Sequence, residues 1–172
     1  MRRVCFAGVI TGVLLCAAGF LIVELGLIPT TANSVPPAFE RSIATRALDA
    51  STTRHAPHLV NPYPTNDQNL IEGMKTYTMN CAVCHGTLDN RASPLEHSFY
   101  PPVPQLILQP LHDPGWRTFY VVRTGVRYTG MPAWEGVLSE QDMWRVTDFI
   151  SHSKNMPPGA ASYLRELYGS TE

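Results

Sequence analysis

Charged side chains are scarce in this chain. They make up 16% of its 172 residues, thirteen basic against fourteen acidic, for a formal net charge of −1. Nucleic acid is held largely through its phosphates by clustered Lys and Arg, and the absence of any basic excess argues against such a partner. Cysteine is nearly as sparse. Of the four, Cys5 and Cys16 lie in an apolar N-terminal run, and only Cys81 and Cys84 stand in polar sequence. If that pair has chemistry of its own, no thiols remain for a structural disulfide, and a small extracytoplasmic domain then needs some other staple. Fifteen prolines point instead to long loops.

There is one long hydrophobic run. Arg2 and Arg3 precede Val4–Val23, twenty residues without a charge, and Glu24 ends it. At about 1.5 Å per residue such a run spans about 30 Å, the hydrocarbon core of a bilayer. A cleavable signal peptide has a shorter apolar core and a small-x-small cleavage site. Thr30-Thr31-Ala32 is a poor one, and Leu15 is too bulky to precede a lipidated Cys16. Residues 1–28 are therefore expected to form an N-terminal transmembrane anchor, with a signal segment as the alternative. The two arginines favour a cytoplasmic N-terminus, which puts everything after residue 28 in the periplasm. The anchor, residues 4–28, makes the inner (cytoplasmic) membrane the first expected partner.

Residues 29–65 contain six prolines and no sustained period. They are expected to be a periplasmic tether, with "FERSIATRALDAS" able to form a short helix. The ordered domain is expected over 66–156. It opens on a helix capped by Asn66 or Asp67, with Leu70, Gly73, Met74, Tyr77 and Cys81 on one face. Gly73 in mid-helix costs about 1 kcal/mol against Ala, which implies a close crossing there. A second helix is predicted in "WRTFYVVRTGV", stopped at Gly125. The last opens at Ser139 and carries Met143, Trp144, Val146, Phe149 and Ile150 on a broad apolar face. Residues 157–172 form a C-terminal tail in which "SYLRELYG" suits a short helix. Three helices and long loops make a thin core for some ninety residues, so a large cofactor is expected to complete it.

"NCAVCHG", Asn80–Gly86, carries the chemistry. Zinc wants four N or S ligands, usually from two such pairs, and the second pair is missing. A thiol redox pair wants a βαβ setting, whereas this motif ends an amphipathic helix. The remaining reading is covalent haem attachment, in which Cys81 and Cys84 add to the vinyl groups and His85 supplies an axial nitrogen to the iron. The second axial ligand then decides between a closed electron-transfer site and an open one. Met74 and Met79 are too near the motif on its own helix, and Met143 belongs to an apolar face. Met131 stands between Gly130 and Pro132 in "RTGVRYTGMPAWEG", a loop able to present a thioether rigidly. His97 and His112 are its rivals.

Taken in order, these motifs resemble the class I c-type cytochromes, close to the monohaem domains found as anchored carriers or membrane-bound subunits of bacterial respiratory chains. Gly73 and Tyr77 match the first-helix pattern of that family, CAVCH its attachment motif, "TGMPAW" its distal-ligand loop and "LSEQDMWRVTDFI" its C-terminal helix. The resemblance covers residues 66–156, about half the chain. It implies an all-α fold of three or more helices and long loops around one covalent haem c, here preceded by one transmembrane helix. It implies Cys81 and Cys84 as thioether sites, His85 as the proximal iron ligand and Met131 as the distal one, with no catalytic residue. Pro102–Leu106 resembles the loop along the haem edge, and Arg127 and Tyr128 are candidates for the propionates. Trp134 and Trp144 are expected to pack the core or haem rim.

The function so implied is one-electron transfer. The expected partners are redox proteins: a quinol-oxidising complex or dehydrogenase as donor, a terminal oxidase or another cytochrome as acceptor. The alternatives are a permanent haem subunit of a larger membrane oxidoreductase and, third, an open-site haem enzyme or gas sensor. Residues 66–156 carry seven basic and nine acidic side chains, so docking through an apolar patch is expected in place of steering by a basic ring.

Overall fold

The computed structural model describes residues 2–168, and their side chains from residue 6 onward except residue 7. Among the described residues there are seven α-helices and no β-strand. The chain divides into two compact units, one ending at Thr31 and the other beginning at Ala32.

The first unit is helix α1 (Arg2–Glu24) and its exit. Gly26 ends it in the left-handed region, φ +64°, with the Leu27 amide donating back to the Ile22 carbonyl at 3.1 Å, the closure expected when glycine follows the last helical turn. Phe6, Val9, Ile10, Val13, Leu14 and Leu15 are all exposed. Among the described residues no helix is long and apolar enough to cross a membrane, so the transmembrane helix expected over residues 1–28 is not met on those residues. The side chains of Val4, Cys5 and Ala7 lie outside them.

The second unit is built around the crossing of α3 (Asp67–Asn80) and α6 (Glu140–His152). Asn66 caps α3, its side chain accepting from the Asn69 amide at 2.9 Å, and Ser139 caps α6 by accepting from the Asp142 amide at 3.1 Å. Asp142 does not complete the reciprocal box through the backbone; its carboxylate instead accepts the Ser139 hydroxyl at 2.7 Å. The two helices meet at Gly73, where a Cβ would lie 2.2 Å from the Arg145 carbonyl oxygen. The costly glycine is thus explained by backbone contact. Leu70, Met74, Tyr77, Trp144, Val146 and Phe149 fill the crossing, each essentially inaccessible. Helix α5 (Gly115–Thr124) stacks Phe119 on Trp144, centroids 3.8 Å apart and planes within 7°, and Gly125 stops it at φ +67°. Helix α4 (Ala82–His85) is the single turn after α3.

One segment differs from expectation. Helix α2 (Ala38–His55) runs 18 residues and packs against α5. Asp49 pairs with Arg117, the Tyr100 hydroxyl donates to Glu40 at 2.6 Å, and His58 stacks on Trp116 at 4.1 Å. Just before α3, Asn69 Nδ2 donates to the Pro64 carbonyl at 2.9 Å. The span 38–65 is therefore docked onto the domain and does not hang as a free tether, because its acids, rings and carbonyls find partners there. The tail also folds back. Helix α7 (Pro158–Tyr168) packs on α3, with Ala160 fully buried and its amide donating to Asp67 Oδ1 at 2.7 Å.

Candidate functional site

The C-terminus of α3 delivers the Cys81–His85 motif. The Cys81 amide still donates to the Tyr77 carbonyl at 2.8 Å, and the next turn closes when the Cys84 and His85 amides reach the Cys81 carbonyl at 3.1 and 2.9 Å. Gly86, at φ +90°, turns the chain away where a Cβ would meet Gln105 Oε1 at 2.9 Å. Tyr77, one turn before the motif and buried, donates its hydroxyl to the carbonyls of His85 and Gly86, at 3.0 and 2.9 Å. Burial holds that hydroxyl well above the usual tyrosine range, so it stays a donor.

Cys81 and Cys84 are free thiols, the first buried and the second half-buried. Burial, and then the neighbouring Cys84, push the Cys81 thiol up to about 12. His85 Nδ1 lies 2.8 Å from the Pro104 carbonyl oxygen. A carbonyl only accepts, so Nδ1 carries the proton and Nε2 keeps its lone pair for another partner. Burial lowers the imidazole's proton affinity below its ordinary value, opposed only in part by the Pro104 hydrogen bond, so the neutral, ligating form is favoured.

The loop expected at Pro102–Leu106 is therefore in contact with the motif. Besides Pro104, the Leu106 amide donates to the His85 carbonyl at 3.0 Å. Gln105, not singled out from sequence, is buried and spans three segments: Oε1 accepts from the Ser93 amide at 2.7 Å, while Nε2 donates to the carbonyls of Cys84 at 3.2 Å and Val103 at 3.0 Å. Ser93 closes the ring by donating to the Val83 carbonyl at 2.5 Å. A Gln in a proline-rich loop has no sequence signal that separates it from a solvated one.

Met131 sits half-buried in the connection from α5 to α6. Its carbonyl accepts from the Val126 amide at 3.1 Å, and its amide donates to Thr129 Oγ1 at 3.1 Å. Thr129 in turn donates to the Val126 carbonyl at 2.8 Å. Gly125 lets this loop close, since a Cβ there would stand 2.6–2.8 Å from Pro132, Ala133 and Met131 backbone atoms. The structure thus gathers Cys81, Cys84 and His85 in one turn and holds Met131 on a separate, braced loop. The rivals His97 and His112 are exposed, as are Arg127 and Tyr128. Trp144 is core and Trp134 packs at its edge.

Among the described residues no three or more His, Cys, Asp or Glu form a group able to hold a metal ion, which leaves a zinc site without its ligand set. A cavity of about 170 Å³, lined by Pro57, Leu59, Phe119 and Tyr120 among others, includes none of the candidate residues. Two unlinked thiols one turn apart, followed by an imidazole with a fixed tautomer, are the donor set that covalent haem attachment needs.

Residues 68–150, 83 of the chain's 172, match the family described as cytochrome C oxidase, cbb3-type, subunit III. The match begins in the first turn of α3 and ends inside α6, so it takes in both the motif and the Met131 loop. A comparison with curated proteins finds no relative.

Proposed function

We propose that this protein, whose residues 68–150 are a c-type cytochrome domain with covalently bound haem c and its iron, is a one-electron carrier of a respiratory chain. In this reading Cys81 and Cys84 are the thioether sites, His85 the proximal ligand and Met131 the distal ligand. The observation that carries it is the hydrogen bond from His85 Nδ1 to the Pro104 carbonyl, 2.8 Å. It fixes the ring and leaves Nε2 as the only free donor atom.

When bound there, the haem iron supplies reversible one-electron exchange. The chain's own residues do the rest. Cys81, the residue before α4, and Cys84 within it would hold the macrocycle, and Pro104 orients the imidazole. Tyr77 and Gln105 hold the carbonyls on either side of it. A Met131 thioether completes the ligand set and favours the reduced state relative to a second nitrogen. A closed ligand set leaves no position for a substrate, so no bond is made or broken.

Visible spectra of the matured protein, oxidised and reduced, test this for the wild type and Met131→Ala. The weak far-red charge-transfer band of a thioether-ligated ferric haem is expected in the wild type and lost in the variant. An unchanged variant spectrum would remove Met131 from the iron. A reduced spectrum that shifts readily with carbon monoxide would favour the open-site enzyme or sensor.

A second reading is favoured by the description of the matched family, an oxidase subunit: the protein is a permanent haem subunit of a membrane oxidoreductase. Co-purification with larger membrane chains in mild detergent supports that reading, and recovery of the protein alone supports the carrier. In either case the partners are redox proteins of the chain, a quinol-oxidising complex or dehydrogenase on one side and a terminal oxidase or cytochrome on the other.

The location belongs to the same proposal: inner membrane, single-pass through the first 28 residues, haem domain in the periplasm. The support is the uncharged Val4–Val23 run behind Arg2 and Arg3, and the exposed apolar side chains along α1. A helix apolar all round is poorly suited to water. Release of the protein from membranes by alkaline carbonate would overturn it.

A further inference from the structure

Helix α2 turns its two acids one way and two of its three arginines, Arg46 and Arg54, another. Both acids are engaged with the compact unit, Glu40 by the Tyr100 hydroxyl and Asp49 by Arg117. Arg46 and Arg54 are exposed, and neither forms an ion pair among the described residues. Phe39, Ile43, Arg46, Ala50 and Arg54 recur at intervals of four, three, four and four, so they share one face of the helix. Thr52, buried, lies opposite. On the outward face Phe39 is 68% exposed and Ile43 65%. Two large apolar side chains one turn apart thus meet water, followed by two unpaired arginines and by no acid.

The chain that leads into α2 is apolar too. Exposed apolar residues continue from α1 through Leu25, Leu27 and Ile28 to Val35. Thirteen residues join Glu24 to Ala38, a span of at most about 45 Å. A face of two apolar side chains and two arginines, tied that closely to the segment read as an anchor, suits a bilayer surface, whose anionic headgroups attract nearby cations. We propose that the outward face of α2 rests on the membrane, with Phe39 and Ile43 entering the headgroup boundary and Arg46 and Arg54 meeting anionic lipid phosphates. This rests on the reading of α1 as an anchor. Its consequence is that the haem domain is held at a fixed height and attitude instead of swinging on a leash, which limits it to partners in the same membrane.

The test is thiol modification of the full haem-loaded chain in nanodiscs by a charged, membrane-impermeant maleimide. Cys81 and Cys84 are held by haem, so Ile43→Cys in a Cys5→Ser, Cys16→Ser background offers one reactive site, and Ser162→Cys in the same background is the exposed control. The Ile43→Cys thiol should react several-fold more slowly in nanodiscs containing phosphatidylglycerol than in zwitterionic ones. Adding Arg46→Glu with Arg54→Glu should restore the rate, and the control should not change. A rate at Ile43→Cys equal to the control in anionic nanodiscs overturns the proposal and leaves the face to a protein partner. Equal protection in zwitterionic lipid overturns the part given to the arginines. Native Cys16, left in place with Cys5→Ser, separates the two readings. If it reacts in nanodiscs the anchor itself fails; if it is protected while Ile43→Cys reacts, only the surface contact fails.

Discussion

Gly73 and Arg145 touch through their backbones: a Cβ on Gly73 would stand 2.2 Å from the Arg145 carbonyl oxygen and 2.9 Å from Phe149 Cβ. No rotamer change relieves a clash with a carbonyl, so α3 and α6 must separate to admit even a methyl group. Overpacking costs about 1–3 kcal/mol, and the better helix propensity of Ala returns about 1 kcal/mol. The upper end applies when backbone is the obstacle, so Gly73→Ala is expected to destabilise the haem-loaded protein by roughly 2 kcal/mol. Chemical denaturation followed through the haem spectrum measures this. A midpoint equal to wild type would mean that the helices do not cross this closely.

Gln105 and the His85 loop give the second prediction. Replacing Gln105 with Leu leaves the Ser93 amide and the Cys84 and Val103 carbonyls without the bonds the side chain makes. Each buried orphan costs about 1–3 kcal/mol and the three relax together, so a total of about 3 kcal/mol is expected. Gln105→Glu keeps the acceptor for Ser93 but loses both donated bonds, and should retain only a minor part of the stability. Because Pro104, which orients His85, immediately precedes Gln105, both variants should also shift the midpoint potential. A change in denaturation midpoint with an unaltered potential would restrict Gln105 to scaffolding.

The third prediction concerns α2. A free tether would be cut by trypsin at Arg41, Arg46 and Arg54 within the dead time of the experiment. Packed as described, the helix should resist in detergent solution, where no bilayer protects it. Arg117→Ala removes the partner of Asp49. A half-exposed pair of this kind contributes at most about 1 kcal/mol, so the variant should be cut only a few-fold faster. Immediate cleavage of the wild type at these sites would restore the tether.

The reasons the haem domain was legible from sequence differ from the reasons its surroundings were not. Cys81, Cys84 and His85 follow one another in the chain, so a single turn brings them together. Gly73 betrayed the helix crossing because a glycine there is unfavourable unless something touches it, and Asn66 and Ser139 are cap residues whose geometry is local. The docking of α2 depends on Asp49 meeting Arg117 and Glu40 meeting Tyr100, pairs 68 and 60 residues apart. Nothing in "FERSIATRALDAS" marks which side chains have distant partners. Gln105 carries no signal for the same reason, and "SYLRELYG" suits a helix without revealing its seat on α3, since the Ala160–Asp67 bond spans 93 residues.

The two thiols of the motif should not be chemically equivalent before haem is attached. Cys81 is buried and held as a thiol up to about 12, while Cys84 is half-buried. Only the thiolate attacks an alkylating reagent. At pH 8 a thiol of that strength is ionised to about one part in ten thousand, and the fraction grows about tenfold per pH unit until the pH approaches 12. Iodoacetamide on the haem-free chain at pH 8, read by peptide mass, should therefore modify Cys84 well ahead of Cys81. The rate at Cys81 should climb about tenfold per unit through pH 8–11. Denaturant should erase the difference by exposing both thiols. Equal rates without denaturant would show that the Cys81–His85 turn takes its described form only once haem is in place, making the cofactor part of the fold as well as of the function.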